Sequence, residues 1–204
     1  MFNKGRKIIT LEMDQPTQKV DHRLGLTAMI YFFIMLPSSF MPEDTVLPWL
    51  IINVSFSLLV MAILFILWKR HQNDSVRYYS LQVYAMLMGI VFFCITPVFK
   101  LLYGSLYFWI LLVFTILVVS VSHMMKNRIA KSFVNKKHKI LLTIMSIYVI
   151  LLIIIGIILM SIMRIYDSTE NTAVSILFFL ACCLFMVMSP AFLVRANEIE
   201  KLKK

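Results

Sequence analysis

Six stretches of this chain carry no charge, or almost none, over 18 to 24 residues: Leu24 to Met41, Val46 to Trp68, Tyr79 to Thr96, Ser105 to Met125, Ile140 to Met163 and Ala173 to Val194. At a rise of about 1.5 Å per residue, each is long enough as an α-helix to cross a hydrocarbon layer roughly 30 Å thick. A helix also satisfies its own backbone hydrogen bonds where no water is present, which few other conformations can do. With 61% hydrophobic residues in a chain of 204, so much continuous apolar sequence exceeds what a soluble core would bury. The expected fold is all-α: a polytopic membrane protein built as a six-transmembrane-helix bundle with short connections.

The charges sort with the helices. If the amino terminus is cytoplasmic, the inner segments hold Lys4, Arg6, Lys7, Lys19, Arg23, Lys69, Arg70, Arg77, Lys126, Arg128, Lys131, Lys136, Lys137, Lys139, Arg195, Lys201, Lys203 and Lys204. Only Lys100 and Arg164 fall in outer loops, so all twenty Lys and Arg divide eighteen to two. Short loops obey the positive-inside rule, and the expectation is that both termini are cytoplasmic. The inner side carries six acids against its eighteen cations, a balance of +12, and the outer side four acids against two, a balance of −2, so the formal net charge of +10 comes from one membrane face. Topology thus accounts for a basic balance that would otherwise point to nucleic acid, and no nucleic-acid partner is expected. The partner of the basic face is the lipid bilayer, whose anionic headgroups attract each nearby cation by roughly 1 kcal/mol.

Three parts follow: a cytoplasmic N-terminal arm over 1–23, the transmembrane domain over 24–194, and a basic cytoplasmic tail over 195–204. The run after residue 23 leads into Pro37, Ser38 and Ser39 without a small-x-small cleavage site, so it reads as a retained anchor. Pro42, Glu43, Asp44 and Pro48 form an acidic outer turn. Trp49 and Trp68 stand nineteen residues apart, about 28 Å of helix, and suit the two aromatic belts of a bilayer as interfacial anchors. Thr96, Pro97 and Gly104 bracket Lys100 in a tight outer turn between the third and fourth helices. The cytoplasmic basic loop contains Lys126, Arg128, Lys131, Lys136, Lys137 and Lys139 with Ile129, Phe133 and Val134 among them, a pattern for a short helix lying on the membrane surface.

Small and weakly polar residues recur in stripes on the second, third and sixth segments. Asn53 and Ser57 share a face at i, i+4; Gln82, Ala85 and Gly89 continue a stripe from Tyr78 to Thr96; Ser175, Cys182 and Ser189 repeat at seven. Such residues let membrane helices approach and hydrogen-bond, so these three segments are expected inside, as a helix-packing or partner face. The fifth segment, apolar on every side, is expected to face lipid. Cys94 is placed near an outer helix end, about 10 Å in depth from Cys182 and Cys183, so no disulfide is expected.

Known chemistries find no constellation. The six apolar runs contain no Asp, Glu, Lys or Arg, the groups that mark ion and proton pathways. His22, His71, His123 and His138 all fall at the cytoplasmic boundary without ligand spacing, and neither a nucleophile elbow nor a phosphate-binding glycine loop occurs. No catalytic residue, metal or cofactor is expected, and the chain reads as a non-enzyme.

The layout joins Asp21-His22-Arg23 at the end of a basic arm, six spans, the Pro42-Glu43-Asp44 turn and a lysine-tailed end, in a composition where Lys and Ile outweigh Arg and Ala. It resembles the small polytopic proteins that low-GC Gram-positive bacteria encode beside secreted toxins, including at type VII secretion loci. That resemblance implies a bacterial plasma-membrane protein with an immunity or secretion-accessory role, in contact with another membrane protein or a membrane-inserting toxin. The competing expectation is a small transporter or permease subunit that depends on a separate ATPase. Oligomeric state is not legible.

Overall fold

A computed structural model describes residues 23–42, 45–134, 140–165, 171–195 and 198. Nearly all of them are helical. α1 spans Leu24–Phe40, α2 Val46–Arg70, α3 Ser75–Leu102, α4 Leu106–Met124, α5 Lys126–Val134, α6 Ile140–Ile165 and α7 Asn171–Met188, after which Ser189–Leu193 tightens into a 3₁₀ turn. Most of the arm, the acidic pair Glu43 and Asp44, the basic residues Lys136, Lys137 and Lys139, and the lysines of the tail lie outside the described residues.

Among the described residues, five helices have the length and apolar composition to cross a membrane: α2, α3, α4, α6 and α7 with its 3₁₀ extension. The first segment differs from the expected span. α1 is apolar but only 17 residues long, about 25 Å by helical rise.

α3 is the hub of the bundle, and its bounds depart most from the sequence reading. It begins four residues before Tyr79 because Asp74 accepts the backbone N–H of Arg77 at 2.9 Å and caps the first turn. It continues six residues past Thr96, carrying Pro97 within the helix, and ends at a turn in which Gly104 takes φ +81°. Its 28 residues reach about 42 Å, beyond the roughly 30 Å of a hydrocarbon core.

Two buried clusters meet on α3. On one side Tyr31 and Met35 of α1 and Val60 and Leu64 of α2 pack with Phe93. The Phe93 ring lies edge-on to Tyr31 at 5.2 Å, and the neighbouring Phe92 stacks on Phe56 at 3.8 Å. On the other side Val91, Cys94 and Ile95 pack with Cys182 and Met186 of α7. The expected difference in depth between Cys94 and Cys182 is therefore corrected. Because α3 runs on past Thr96, Cys94 sits well inside the helix, opposite α7, and all three cysteines are free thiols.

The inner helices are α3, α7 and α1. α1 buries Thr27, Tyr31, Met35, Ser38 and Ser39, whereas α2 buries only Asn53, Val60 and Leu64, with Leu50, Phe56, Met61 and Leu67 half-buried against the same cluster. α6 is peripheral. It meets α7 through the Tyr148 hydroxyl, which donates to the Leu180 carbonyl at 2.7 Å, and through Gly156 against Leu177, while Ile147, Ile150, Ile154 and Ile158 stand exposed.

Candidate functional site

The polar residues singled out from sequence separate into four places. Asn53, fully buried, belongs to a layer joining α1, α2 and α3. Its amide Nδ2 donates to Ser39 Oγ at 2.7 Å, and its Oδ1 accepts from Thr96 Oγ1 at 3.3 Å. Ser39 in turn donates to the Met35 carbonyl at 2.7 Å, as Ser38 does at 2.8 Å. Ser57, one turn along α2, is half-buried.

Lys100 completes this layer and corrects the sequence reading. Expected in a tight outer turn, it lies in the last turn of α3 with only 8% of its surface exposed. Its Nζ donates to the Ser39 carbonyl at 2.8 Å and to the Pro42 carbonyl at 2.6 Å. Ser39 is in the last turn of α1 and Pro42 lies two residues past its end, where carbonyls lack helical partners and the helix dipole is negative. A cation there is stabilised by position, which is why a lysine is tolerated at the edge of an apolar bundle. The charge is committed to α1.

At the opposite end of α3, Gln82 Nε2 donates to Thr27 Oγ1 at 3.1 Å and to the Arg23 carbonyl at 3.4 Å. The Arg23 guanidinium lies 4.6 Å over the Tyr79 ring. Between the two ends, Ala85 and Gly89 receive Tyr31, whose hydroxyl donates to the Ala85 carbonyl at 2.8 Å. The fourth place is the α3–α7 seam. Cys182 Sγ approaches the Val91 carbonyl at 3.5 Å, Ser189 Oγ approaches Met88 Sδ at 3.2 Å, and Ser175 is fully buried. Every stripe residue except Ser57 is thus packed within the chain itself.

The basic end carries its own contacts. Arg77 Nη1 donates to the Leu193 carbonyl at 3.0 Å and Ser80 Oγ donates to the Phe192 carbonyl, so α3 holds the 3₁₀ turn from beneath. The Tyr84 hydroxyl and His123 Nε2 are 2.8 Å apart, and His123 Nδ1 lies 2.7 Å from the Val119 carbonyl. Since a carbonyl only accepts, Nδ1 carries a proton, and in the neutral ring Nε2 is then the acceptor for Tyr84. Of the basic-loop residues, Lys126, Arg128 and Lys131 fall on α5, whose Ile129 and Ala130 are buried. Trp49 is half-buried and edge-on to Tyr103 at 6.2 Å near the Lys100 end, and Trp68 is half-buried at the other end of α2 beside Phe65.

Sequence reasoning missed Thr27, Tyr31, Ser38 and Ser39. Their spacing with Met35 follows one helical face of α1, the same signal that marked α3, but it was masked by the exposed phenylalanines between them. Among the described residues no group of three or more His, Cys, Asp or Glu is placed to hold a metal ion.

The described residues, nearly all helical and with five long apolar helices among them, have the composition and element lengths of a membrane-embedded bundle. Comparison with family models, with curated proteins and with solved structures gives no match to it.

Proposed function

We propose that this is a six-span plasma-membrane protein with both termini cytoplasmic, which acts without catalysis by contact between its outward helix faces and another membrane protein or a membrane-inserting toxin. The observation that carries the reading is the division of labour among its surfaces. The polar stripes are occupied inside the bundle, while α2, α4 and α6 present a continuous apolar exterior that includes Leu58, Val113 and Ile154. Exposed Tyr103, Tyr107 and Trp109 gather at the Lys100 end, as an aromatic belt does. Arg23, Arg77, Arg128 and Arg195 belong to the other end, which supports a cytoplasmic assignment for it. A span of 17 residues for α1 suits a helix held at its outer end by Lys100 rather than by length alone.

The transport reading has less support. It needs polar groups facing a path, and Asn53 and Gln82 are bonded to neighbouring helices instead. An immunity or secretion-accessory role is the form that the layout suggests, and it predicts that deletion sensitises the producing cell to one toxin encoded nearby.

Photo-crosslinking residues placed singly at Leu58, Val113 and Ile154 test the contact. A discrete protein adduct from one face supports it, and lipid adducts alone from all three would sink it. Orientation is tested with a membrane-impermeant thiol reagent on Glu43→Cys and Lys137→Cys. Labelling of both from the same side of the membrane removes the six-span reading, and co-purification of an ATPase favours transport.

A further inference from the structure

At the basic end, α4 and α6 both pack on α7 and leave a cleft between them that α5 closes from below. Two adjoining hollows of about 420 and 620 Å³ share Arg128, Ser132 and Leu141. Each falls within the roughly 300–1,000 Å³ typical of small-molecule sites. Apart from Ser122, the wall is apolar from Met125, just past the end of α4, back to Leu117, eight residues and about 12 Å by helical rise. Leu117 is 57% exposed and Ile144 56%, so the cleft opens sideways from the bundle rather than into a closed interior. Among the described lining residues, only those at its lower rim are charged. Arg128 and Lys131 stand there one turn apart on α5, and neither the guanidinium nor the ammonium bonds to a described residue.

We propose that this cleft seats one anionic phospholipid of the cytoplasmic leaflet, its phosphate on Arg128 and Lys131 and one acyl chain against Leu117, Val121 and Leu141. The charge lies where a headgroup would be, and the apolar wall runs in the direction an acyl chain would follow. A guanidinium also offers paired donors to a phosphate, which a neutral rim would lack. A soluble anion would use only the rim, and a zwitterionic lipid would meet its own cation there. Basic pockets between spanning helices on the cytoplasmic side recognise anionic headgroups in this way. The inference rests on the membrane-embedded reading, so membrane fractionation of every variant is measured alongside lipid binding.

The test uses the full chain in detergent, titrated with phosphatidylglycerol or phosphatidylcholine and read by native mass spectrometry. One phosphatidylglycerol should be retained in preference to phosphatidylcholine. Arg128→Gln with Lys131→Gln should weaken retention by roughly 30-fold, two cations at about 1 kcal/mol each. Lys69→Gln with Arg70→Gln, which removes equal charge from the same end outside the cleft, should leave it unchanged. Val121→Trp, which fills the apolar wall while keeping both cations, should also reduce it, and excess inorganic phosphate should not displace the lipid. Equal loss in the two charge variants, equal retention of phosphatidylcholine, undiminished binding by Val121→Trp, or displacement by phosphate would each overturn the proposal. Absence of any phosphatidylglycerol preference in the parent chain with normal membrane fractionation removes the lipid site alone, whereas extraction of the chain without detergent removes the membrane reading itself.

Discussion

The Tyr31 ring fills the space that Gly89 leaves open on α3, with its hydroxyl bonded to the Ala85 carbonyl one turn earlier. A Cβ on Gly89 would lie 2.8 Å from Tyr31 Cε1 and nearer still to Cζ and Oη. Two helices therefore meet through a glycine and a tyrosine, and the contact is internal to the chain.

Gly89→Ala should lower stability by about 1–3 kcal/mol, the cost typical of forcing extra carbon into a packed core. Tyr31→Phe should cost about 1 kcal/mol through the lost hydrogen bond while keeping the ring in place. Gly89→Ala combined with Tyr31→Leu should be less damaging than the sum of the single changes, because the smaller side chain vacates the new methyl group. Thermal unfolding in detergent measures all three. Strict additivity would show that Tyr31 and Gly89 do not share this space.

Lys100→Met should destabilise the chain by about 2–3 kcal/mol, since the Ser39 and Pro42 carbonyls at the C-terminal end of α1 lose a charged donor and remain shielded from water. Hydrogen exchange should rise first over the last turn of α1. Lys100→Arg should not restore stability fully, because a planar guanidinium cannot replace a compact ammonium between the Ser39 and Pro42 carbonyls. Unchanged exchange in α1 with Lys100→Met would count against the cap.

The helical class was legible because apolar runs of this length admit few other structures. α6 was legible too, its all-round isoleucines having no inward face to choose. Lys100 was not. A single cation beside a proline reads as a turn, and the carbonyls that hold it belong to a segment some sixty residues earlier. The stripes on α3 and α7 were visible as periodicity, yet periodicity does not say whether Gly89 meets another chain or Tyr31 of its own. The cleft at the basic end was invisible for a related reason. It exists because α4 and α6 both pack on α7, and no local pattern in either helix encodes that gap.

Asn53 should tolerate neither truncation nor apolar replacement. Asn53→Ala removes the acceptor of Thr96 and the partner of Ser39 together and leaves a void, for about 2 kcal/mol of lost stability. Asn53→Leu fills the volume but still strands Ser39, although both hydroxyls keep their own carbonyl bonds, to Met35 and to Phe92. It should therefore be milder, at about 1 kcal/mol. Thermal unfolding that ranks Asn53→Leu below Asn53→Ala would show that leucine overpacks this layer rather than filling a void.

The 3₁₀ turn after α7 should depend on its two donors from α3. Arg77 and Ser80 supply bonds to Leu193 and Phe192 that the turn cannot make for itself, and buried Val194 follows directly. Arg77→Met with Ser80→Ala should free this end while leaving the buried clusters on α3 intact, at a cost of about 2 kcal/mol confined to the local opening. Limited trypsin digestion should then cut after Arg195 faster than in the parent chain, with little change in global unfolding. Equal cleavage rates would mean that the packing of Ser189 and Pro190, rather than these donors, holds the turn against α3.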